Sequence, residues 1–255
     1  MDPLIALSAA LAGYLLGSIS FARVVVGVFT PGKKIQRIKV MAPGSEGVIE
    51  SNSVSATTVR MQLGSRYGCL VSILDMVKAA LPALVLRLLY PQEYYYLIAA
   101  SLAVVGHNYP LYYRFKGGRG LSPVLGGFLV VDWLGTLLTN LAGFLIGLPI
   151  KNTLIVSGLG IVLMIPWIWF RSRNWQELLY VVLMNLLFWY AMIPELKEYA
   201  RLQREGHLEA FKEARRLEVI GEDGSVRYDT GTLSSMMDHI KQFFTRSEPR
   251  DGGES

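Results

Sequence analysis

The chain has 255 residues and a formal net charge of +5 at pH 7; 52% of its residues are hydrophobic and 18% are charged. This composition is rare in soluble domains and predicts an all-α, polytopic transmembrane helical bundle, so the basic charge indicates membrane topology rather than nucleic-acid binding. The single cysteine, Cys69, excludes an internal disulfide and a cysteine-based metal cluster.

The apolar residues form a series of candidate membrane spans. The chain starts with Met1-Asp2-Pro3, which lacks the positive region of a signal peptide, so we expect the first apolar run to be retained. A helix needs about 20 residues to cross a hydrocarbon core of ~30 Å. The candidate spans, about seven in all, are residues 4–22, 67–90, 94–113, 121–131, 133–148, 153–170 and 175–193, of which 121–131 is shorter than this length.

Asp132 is the one break in the apolar run 121–148. It marks either a tight turn between two short helices or a polar point within one long helix. The first alternative gives seven spans and the second gives six.

The distribution of basic residues predicts the orientation of the spans. Connections rich in lysine and arginine lie on the cytoplasmic side of a membrane. With seven spans, the N-terminus is outside, the C-terminus is cytoplasmic, and Arg171 and Arg173 are the one basic pair on the disfavoured side. The basic residues of the two predicted cytoplasmic connections are Lys33, Lys34, Arg37, Lys39, Arg60, Arg66, Arg114, Lys116 and Arg119.

The composition becomes polar after Pro194, which predicts a domain boundary between residues 1–194 and 195–246. The second part is expected to be a small cytoplasmic extension. It should contain an amphipathic surface helix at 195–216, a β-hairpin at 217–228 and a short helix at 233–244. Residues 247–255 are predicted to be a disordered tail.

Three polar stretches carry the candidate chemistry, and the first precedes the second span. Residues 51–58, just before Arg60, are rich in hydroxyl and amide side chains, and such a run can bind an anion. A solvated loop that caps the next helix explains the same pattern.

The second stretch is the pair Asp75 and Lys78, three residues apart inside an apolar span. Ionisable groups in a membrane are costly unless they are paired or face a polar cavity, so the pair is a candidate site. The alternative is a structural salt bridge that ties helices together.

The third stretch is the sequence Gly106-His-Asn-Tyr-Pro-Leu-Tyr-Tyr-Arg-Phe-Lys-Gly-Gly-Arg-Gly120, which closes one span and opens the next. Glycines let backbone N–H groups approach an anion, and the helix that follows adds positive potential at its N-terminus. The loop therefore has the composition of a phosphate cradle, with Lys116 and Arg119 as side-chain donors. A plain cytoplasmic loop is the alternative, in which His107 only hydrogen-bonds a neighbouring loop.

In these stretches the sequence resembles the bacterial acyl-phosphate:glycerol-3-phosphate acyltransferases, seven-span enzymes of the inner membrane. The family's Gly-His-x-Phe-Pro…Lys-Phe-Lys-Gly-Gly-Lys-Gly block is similar to the sequence between Gly106 and Gly120. Its Gly-Ser-Ile-Pro-Phe is similar to Gly17-Ser18-Ile19-Ser20-Phe21, and its Asp-x-x-Lys-Gly is similar to the segment from Asp75 to Ala79. The resemblance covers roughly residues 4–194.

Two family motifs are altered in this chain. The family's Ser-Gly-Asn-x-Gly-Ala-Thr-Asn-x-x-Arg retains its serine as Ser51, but both glycines and both asparagines are replaced, and Arg60 stands one place early. The family's His-x-x-Asn-Ile-x-Arg-Leu, which helps to hold glycerol 3-phosphate, has Glu195 and Glu198 in place of histidine and asparagine.

The resemblance implies a membrane enzyme that transfers an acyl group from acyl phosphate to glycerol 3-phosphate and forms lysophosphatidic acid for phospholipid synthesis. No metal, cofactor or covalent intermediate is implied, because an acyl phosphate is already activated. The implied catalytic residues are Ser51, Arg60 and Lys116. The implied substrate-binding residues are Ser18, Ser53, Thr57, Asp75, Lys78, His107, Asn108, Gly117, Gly118, Arg119, Gly120 and Thr153.

The implied partners are membrane lipid and the two substrates, with a membrane-protein partner as a further possibility and no nucleic acid. A non-catalytic relative that binds lipid, or that serves as a structural subunit of a membrane assembly, is the main alternative, because two motifs are altered. A transporter or channel is a third alternative, against which stands the lack of a repeated pair of broken helices.

Overall fold

The structure is a computed structural model that describes residues 1–31, 38–41, 48–51, 54–147, 153–204, 219–220 and 226–227. Within these ranges the chain divides into two compact units, Met1–Arg37 with Asn52–Glu198 and Ile38–Ser51 with Tyr199–Ser255. The helices are α1 (Pro3–Gly17), α2 (Phe21–Phe29), α3 (Ala56–Leu63), α4 (Ser65–Leu89), α5 (Tyr95–Asn108), α6 (Leu121–Gly147), α7 (Thr153–Arg171) and α8 (Trp175–Arg204).

Four helical segments in the described part are long and apolar enough to cross a membrane: Pro3–Phe29, Ser65–Leu89, Leu121–Gly147 and Trp175–Lys197. The helical nature of the apolar runs is therefore confirmed. Large apolar side chains such as Leu4, Leu88 and Phe170 are more than two-thirds exposed, as expected for surfaces that face lipid.

The first predicted span consists of two helices. Pro3 begins α1 behind the Asp2 side chain, which accepts a hydrogen bond from the Leu4 backbone N–H at 2.7 Å. Residues 18–20 interrupt the helix before α2 begins. The interruption lets Ser18 contact the loop after α5 and lets the Ile19 carbonyl accept a hydrogen bond from Lys78 of α4.

Helices α1 and α5 approach each other through small residues. Gly13 and Gly17 lie against the backbone of Ala99 and Ala103, so each helix offers small residues four positions apart. A Cβ atom added at Gly17 would lie 2.6 Å from the Ala103 Cα. This contact is the close packing that small residues permit between membrane helices.

Helix α6 is broken at Asp132, whose backbone angles are φ −151° and ψ 97°. Before the break, the Arg87 guanidinium donates to the carbonyl oxygens of Val130 and Val131. After it, the Asp132 carboxylate accepts from the Gly135 N–H at 2.9 Å. Each of the two segments is thus capped at Asp132, as separate helices are.

Side-chain contacts show the direction in which α8 runs. Tyr96, near the start of α5, donates to Glu177 at 2.9 Å, whereas Arg119, just before α6, contacts Glu195. Helix α8 therefore starts near the beginning of α5 and runs toward the beginning of α6. We call the end of the first unit where α6 begins the loop end.

The chain reverses direction at Asp132. Asn185, midway along α8, donates to the Ile161 carbonyl at 2.9 Å, and Gly160 beside it packs on Gly143 of α6. The second segment of α6 therefore returns toward the loop end, and its start lies beside Arg171, which pairs with Asp132 at 2.6 Å. These contacts favour a turn between two short helices at Asp132, and the number of spans stays a prediction.

Two helix ends differ from the sequence-based prediction. Helix α5 ends at Asn108 rather than at residue 113, because Pro110 disfavours a helical conformation at the preceding residue. Helix α8 continues through Pro194 to Arg204, so the prediction of a separate surface helix that begins at 195 is wrong. Proline removes one hydrogen bond but its fixed φ is compatible with a helix, and apolar helices tolerate it.

The described part of the chain contains two short antiparallel strand pairs besides the helices. Strands β1 (Ile38–Met41) and β2 (Val48–Ser51) form a hairpin that the sequence analysis did not predict. Strands β3 (Val219–Ile220) and β4 (Val226–Arg227) lie within residues 217–228, for which a hairpin is predicted. The rest of the predicted extension, including the helix at 233–244 and the tail, lies outside the described residues.

Candidate active site

The candidate site is built around residues 109–120, which join α5 to α6 and which we call the glycine loop. The loop folds back on the end of α5, where the Gly118 N–H donates to the His107 carbonyl at 3.1 Å. A Cβ atom at Gly118 would overlap the His107 imidazole, 3.0 Å from its Cε1 atom. Only glycine allows this close approach, which explains why the loop needs it there.

The end of α1 and the segment before α3 both contact this loop. Ser18 is fully buried; its hydroxyl donates to the Tyr14 carbonyl at 2.8 Å and accepts from the Leu111 N–H at 3.3 Å. The Val54 N–H donates to the Gly117 carbonyl at 3.4 Å. The structure thus brings three of the resembling motifs into contact at one place.

Asp75, Lys78 and His107 form a buried polar cluster beneath the loop. Lys78 Nζ lies 2.8 Å from Asp75 Oδ1 and 2.9 Å from His107 Nδ1, and it donates to the Ile19 carbonyl at 2.7 Å. Asp75 and Lys78 are only 2% and 6% exposed. The cluster therefore ties α4 to α5 and to the α1–α2 link, and through His107 it supports Gly118.

Arg23 is a cation at the loop that the sequence analysis missed. It lies on α2, and its Nη2 atom donates to the Lys116 carbonyl at 2.9 Å, while the guanidinium stacks 4.2 Å above the Tyr113 ring. The available signal was a single charge within an otherwise apolar run, which is costly unless it has a role.

Arg119 forms an ion pair with Glu195 of α8. The two side chains are 21% and 25% exposed, so the pair is largely shielded from solvent. Arg119 also makes a further interaction. The Lys116 side chain, in contrast, is exposed.

Asn108 adds a polar group without a protein partner in the described part of the chain. It is 5% exposed, and neither its amide nitrogen nor its amide oxygen makes a hydrogen bond there. The side chain lies against Gly120, which immediately precedes the N-terminus of α6. A buried amide beside the positive end of a helix dipole is a suitable place for an anion.

The remaining predicted site residues are distributed as follows. Thr57 and Arg60 lie on α3, whose first turn is capped by the Ser55 hydroxyl through the Thr58 N–H at 3.5 Å. Ser51 ends β2, which belongs to the second unit, and Thr153 begins α7. Ser53 lies outside the described residues. For all these residues, contact with a substrate stays a prediction.

A family model described as "Glycerol-3-phosphate acyltransferase" matches residues 7–201. The chain is 34% identical over 173 residues to a glycerol-3-phosphate acyltransferase of Mycoplasma mycoides subsp. mycoides SC, a match that covers 64% of this chain and 62% of the relative. It is 35% identical over 136 residues to an enzyme of that name from Aquifex aeolicus, covering 49% and 64%. The chain thus spans less than two thirds of each of these relatives.

Two solved structures are similar to this chain. Both are of PlsY (YgiH), described as an integral membrane glycerol 3-phosphate acyltransferase, in a lysophosphatidic acid form and a glycerol 3-phosphate form. The TM-score is 0.64 for each, with sequence identities of 26% and 25%. Each match covers 79% of this chain and 93% of that chain.

Proposed function

Because the chain belongs to the glycerol-3-phosphate acyltransferase family, we propose that it transfers an acyl group to glycerol 3-phosphate in membrane phospholipid synthesis. The observation that carries this proposal is the glycine loop, where cationic side chains, a buried amide and a helix N-terminus meet. Such an arrangement suits the phosphate groups that both substrates of this reaction contain.

The acyl donor in this proposal is an acyl phosphate, whose phosphate lies at the glycine loop and whose chain lies among the apolar helices. Lys116 and Arg119 compensate its charge, and backbone N–H groups of the loop orient it. The loop is held in place from below by the contact between His107 and Gly118. We propose that Ser51 and Arg60 act at the reacting centre, where the acyl carbonyl meets the acceptor.

The transfer forms one bond and breaks one bond. The 1-hydroxyl oxygen of glycerol 3-phosphate attacks the acyl carbonyl carbon, and the bond from that carbon to the phosphate oxygen breaks. Inorganic phosphate leaves and takes up the hydroxyl proton, and lysophosphatidic acid is the product. The protein contributes positioning and stabilisation of the developing charge, which act without a metal ion or a covalent intermediate.

Replacing Lys116 by alanine should lower turnover at least tenfold. A charge-assisted hydrogen bond contributes about 1.5–3 kcal/mol, and the loss of one bond to the reacting phosphate has a corresponding effect on rate. The measurement is release of inorganic phosphate by the purified protein, with acyl phosphate and glycerol 3-phosphate as substrates. Arg66→Ala removes an exposed positive charge at the start of α4 and serves as the matched control.

Equal turnover in Lys116→Ala and in the wild type would mean that the positive charge of Lys116 contributes to membrane topology and not to substrate binding. The same assay with a panel of glycerol-phosphate-like acceptors tests the activity itself. Turnover with glycerol 3-phosphate supports the proposal, whereas lipid binding without turnover for any acceptor would favour a non-catalytic relative.

We further propose seven membrane spans in a bacterial inner membrane, with the N-terminus outside and the C-terminus in the cytoplasm. The reversal at Asp132 supports two short spans within residues 121–148. The direction of α8, from Glu177 to Glu195, supports a C-terminus on the side of the basic glycine loop.

Reporter fusions test this topology. A reporter fused after Arg246 should read cytoplasmic, and one inserted at residues 91–93, between α4 and α5, should read outside. An insertion at residues 32–37 is the internal control. It should read cytoplasmic, as the C-terminal fusion does, because this connection is rich in basic residues. Fusions at 91–93 and after Arg246 that read on the same side would contradict the seven-span arrangement.

We propose that residues 1–194 form the acyltransferase domain and that residues 195–246 form a cytoplasmic extension with a tail at 247–255. The family match extends to residue 201, slightly past this boundary, and supports an added segment after that residue. This extension is the part of the chain that we assign to a membrane-protein partner.

A further inference from the structure

Glu195 brings a carboxylate to the anion site that the protein itself builds. The glycine loop contains no acidic residue, and Asp75, the nearby carboxylate, is already paired with Lys78. Glu195 comes from a different element, far along α8, and contacts the Arg119 guanidinium. The ion pair therefore neutralises part of the positive charge of the loop.

We propose that Glu195 is a specificity-determining residue that competes with the phosphate of the acyl donor for Arg119. The inference rests on the proposed function for its choice of substrate, but the competition itself concerns any phosphate. The Glu195 carboxylate contacts the Arg119 guanidinium, and a phosphate must displace it before Arg119 can bind the ligand. Glu195 thereby weakens the binding of acyl phosphate and sets the affinity of the site.

The chemistry of the two groups makes the competition direct. A guanidinium presents its N–H donors in a planar fork that fits the oxygens of a carboxylate and of a phosphate equally well. Both anions therefore use the same donors. The pair is also largely shielded from solvent, so its attraction is screened less than that of a surface pair.

The Glu195 carboxylate also disfavours phosphate binding after it has been displaced from Arg119. The α8 backbone holds Glu195 beside the loop, so the displaced carboxylate stays close to a dianionic phosphate unless its side chain turns away. Like charges at short distance in a partly dehydrated cleft repel each other strongly. Removing the charge of Glu195 should therefore strengthen phosphate binding by both routes.

The test measures the affinity of the full-length protein in detergent micelles for inorganic phosphate by titration calorimetry. Glu195→Gln keeps the size of the side chain and removes its charge, and it should bind phosphate at least about tenfold more tightly than the wild type, or about 1.4 kcal/mol. Glu93→Gln is the matched control, because the Glu93 carboxylate contacts the N-terminal ammonium, away from the glycine loop. Its phosphate affinity should equal that of the wild type.

Two further variants show whether the gain passes through Arg119. Adding Arg119→Ala to Glu195→Gln should abolish the gain, because the released donor is then absent. Glu195→Asp keeps the charge and should stay within about threefold of the wild type, far below the gain expected from a lost charge-assisted contact. Equal phosphate affinity of Glu195→Gln and the wild type would overturn the inference, as would a gain of equal size in Glu195→Asp.

The acyl-transfer assay separates this inference from the proposed function. Glu195→Gln should lower KM for acyl phosphate about tenfold while kcat changes less than about twofold, because only binding to Arg119 is affected. If phosphate binding is tightened but no variant turns over, the competition stands and the proposed activity fails. If all variants turn over with the same KM and the same phosphate affinity, the activity stands and the competition fails.

Discussion

Replacing Lys78 by alanine should destabilise the protein by about 3–5 kcal/mol, because the change leaves the Asp75 carboxylate buried without its cation. Both side chains are buried, and their charged atoms lie 2.8 Å apart. The ammonium also donates to the Ile19 carbonyl and contacts His107, so three elements lose a shared partner. Thermal and denaturant unfolding of the purified protein in micelles, followed by circular dichroism, measures the effect.

A double substitution distinguishes the lost ion pair from a simple loss of packing. Adding Asp75→Asn to Lys78→Ala removes the stranded charge and should recover a large part of the stability, since the cost comes mainly from the uncompensated carboxylate. Lys197→Ala, an exposed lysine on α8, is the control and should change stability by less than about 0.5 kcal/mol. A double variant no more stable than Lys78→Ala would argue against the charge as the cause.

The sequence predicted the apolar helices well because their signal is local. Helices α4, α6 and α7 begin within a few residues of the predicted spans, since long apolar runs have few alternatives. The pairing of Asp75 with Lys78 was also predictable, because their spacing places them on one face of a helix. The end of α8 could not be predicted from Pro194, because the helix continues through this proline to Arg204 despite the loss of one backbone hydrogen bond.

The features that the sequence left open depend on contacts between distant parts of the chain. Asp132 alone fits a turn or a long helix, and the choice depends on Arg87 and Arg171, which cap and pair at the break from other helices. The ion pair between Arg119 and Glu195 likewise joins a loop to a helix far along the chain. Such contacts follow from how helices pack, which residue spacing within one element does not specify.

Replacing Gly17 by leucine should separate α1 from α5 and destabilise the protein by about 3 kcal/mol, the upper part of the usual range for overpacking. The new side chain would meet the backbone of Ala103, which has no flexible end that can move aside. Ser18 follows directly and hydrogen-bonds Leu111, so the glycine loop should shift as well. We therefore expect turnover to fall at least tenfold, because small displacements of positioning groups have large effects on rate.

The chain offers a matched control for this substitution in Gly27→Leu. Gly27 lies on α2, within the same apolar segment Pro3–Phe29, and a Cβ atom there has nothing within 4 Å. This variant adds the same side chain to a surface that faces lipid, so it should unfold at the wild-type temperature and keep its turnover. Equal losses in both variants would mean that the apolar segment responds to added bulk in general. A loss confined to Gly17→Leu would instead locate the effect at the contact between α1 and α5, where the end of the first helix positions the glycine loop.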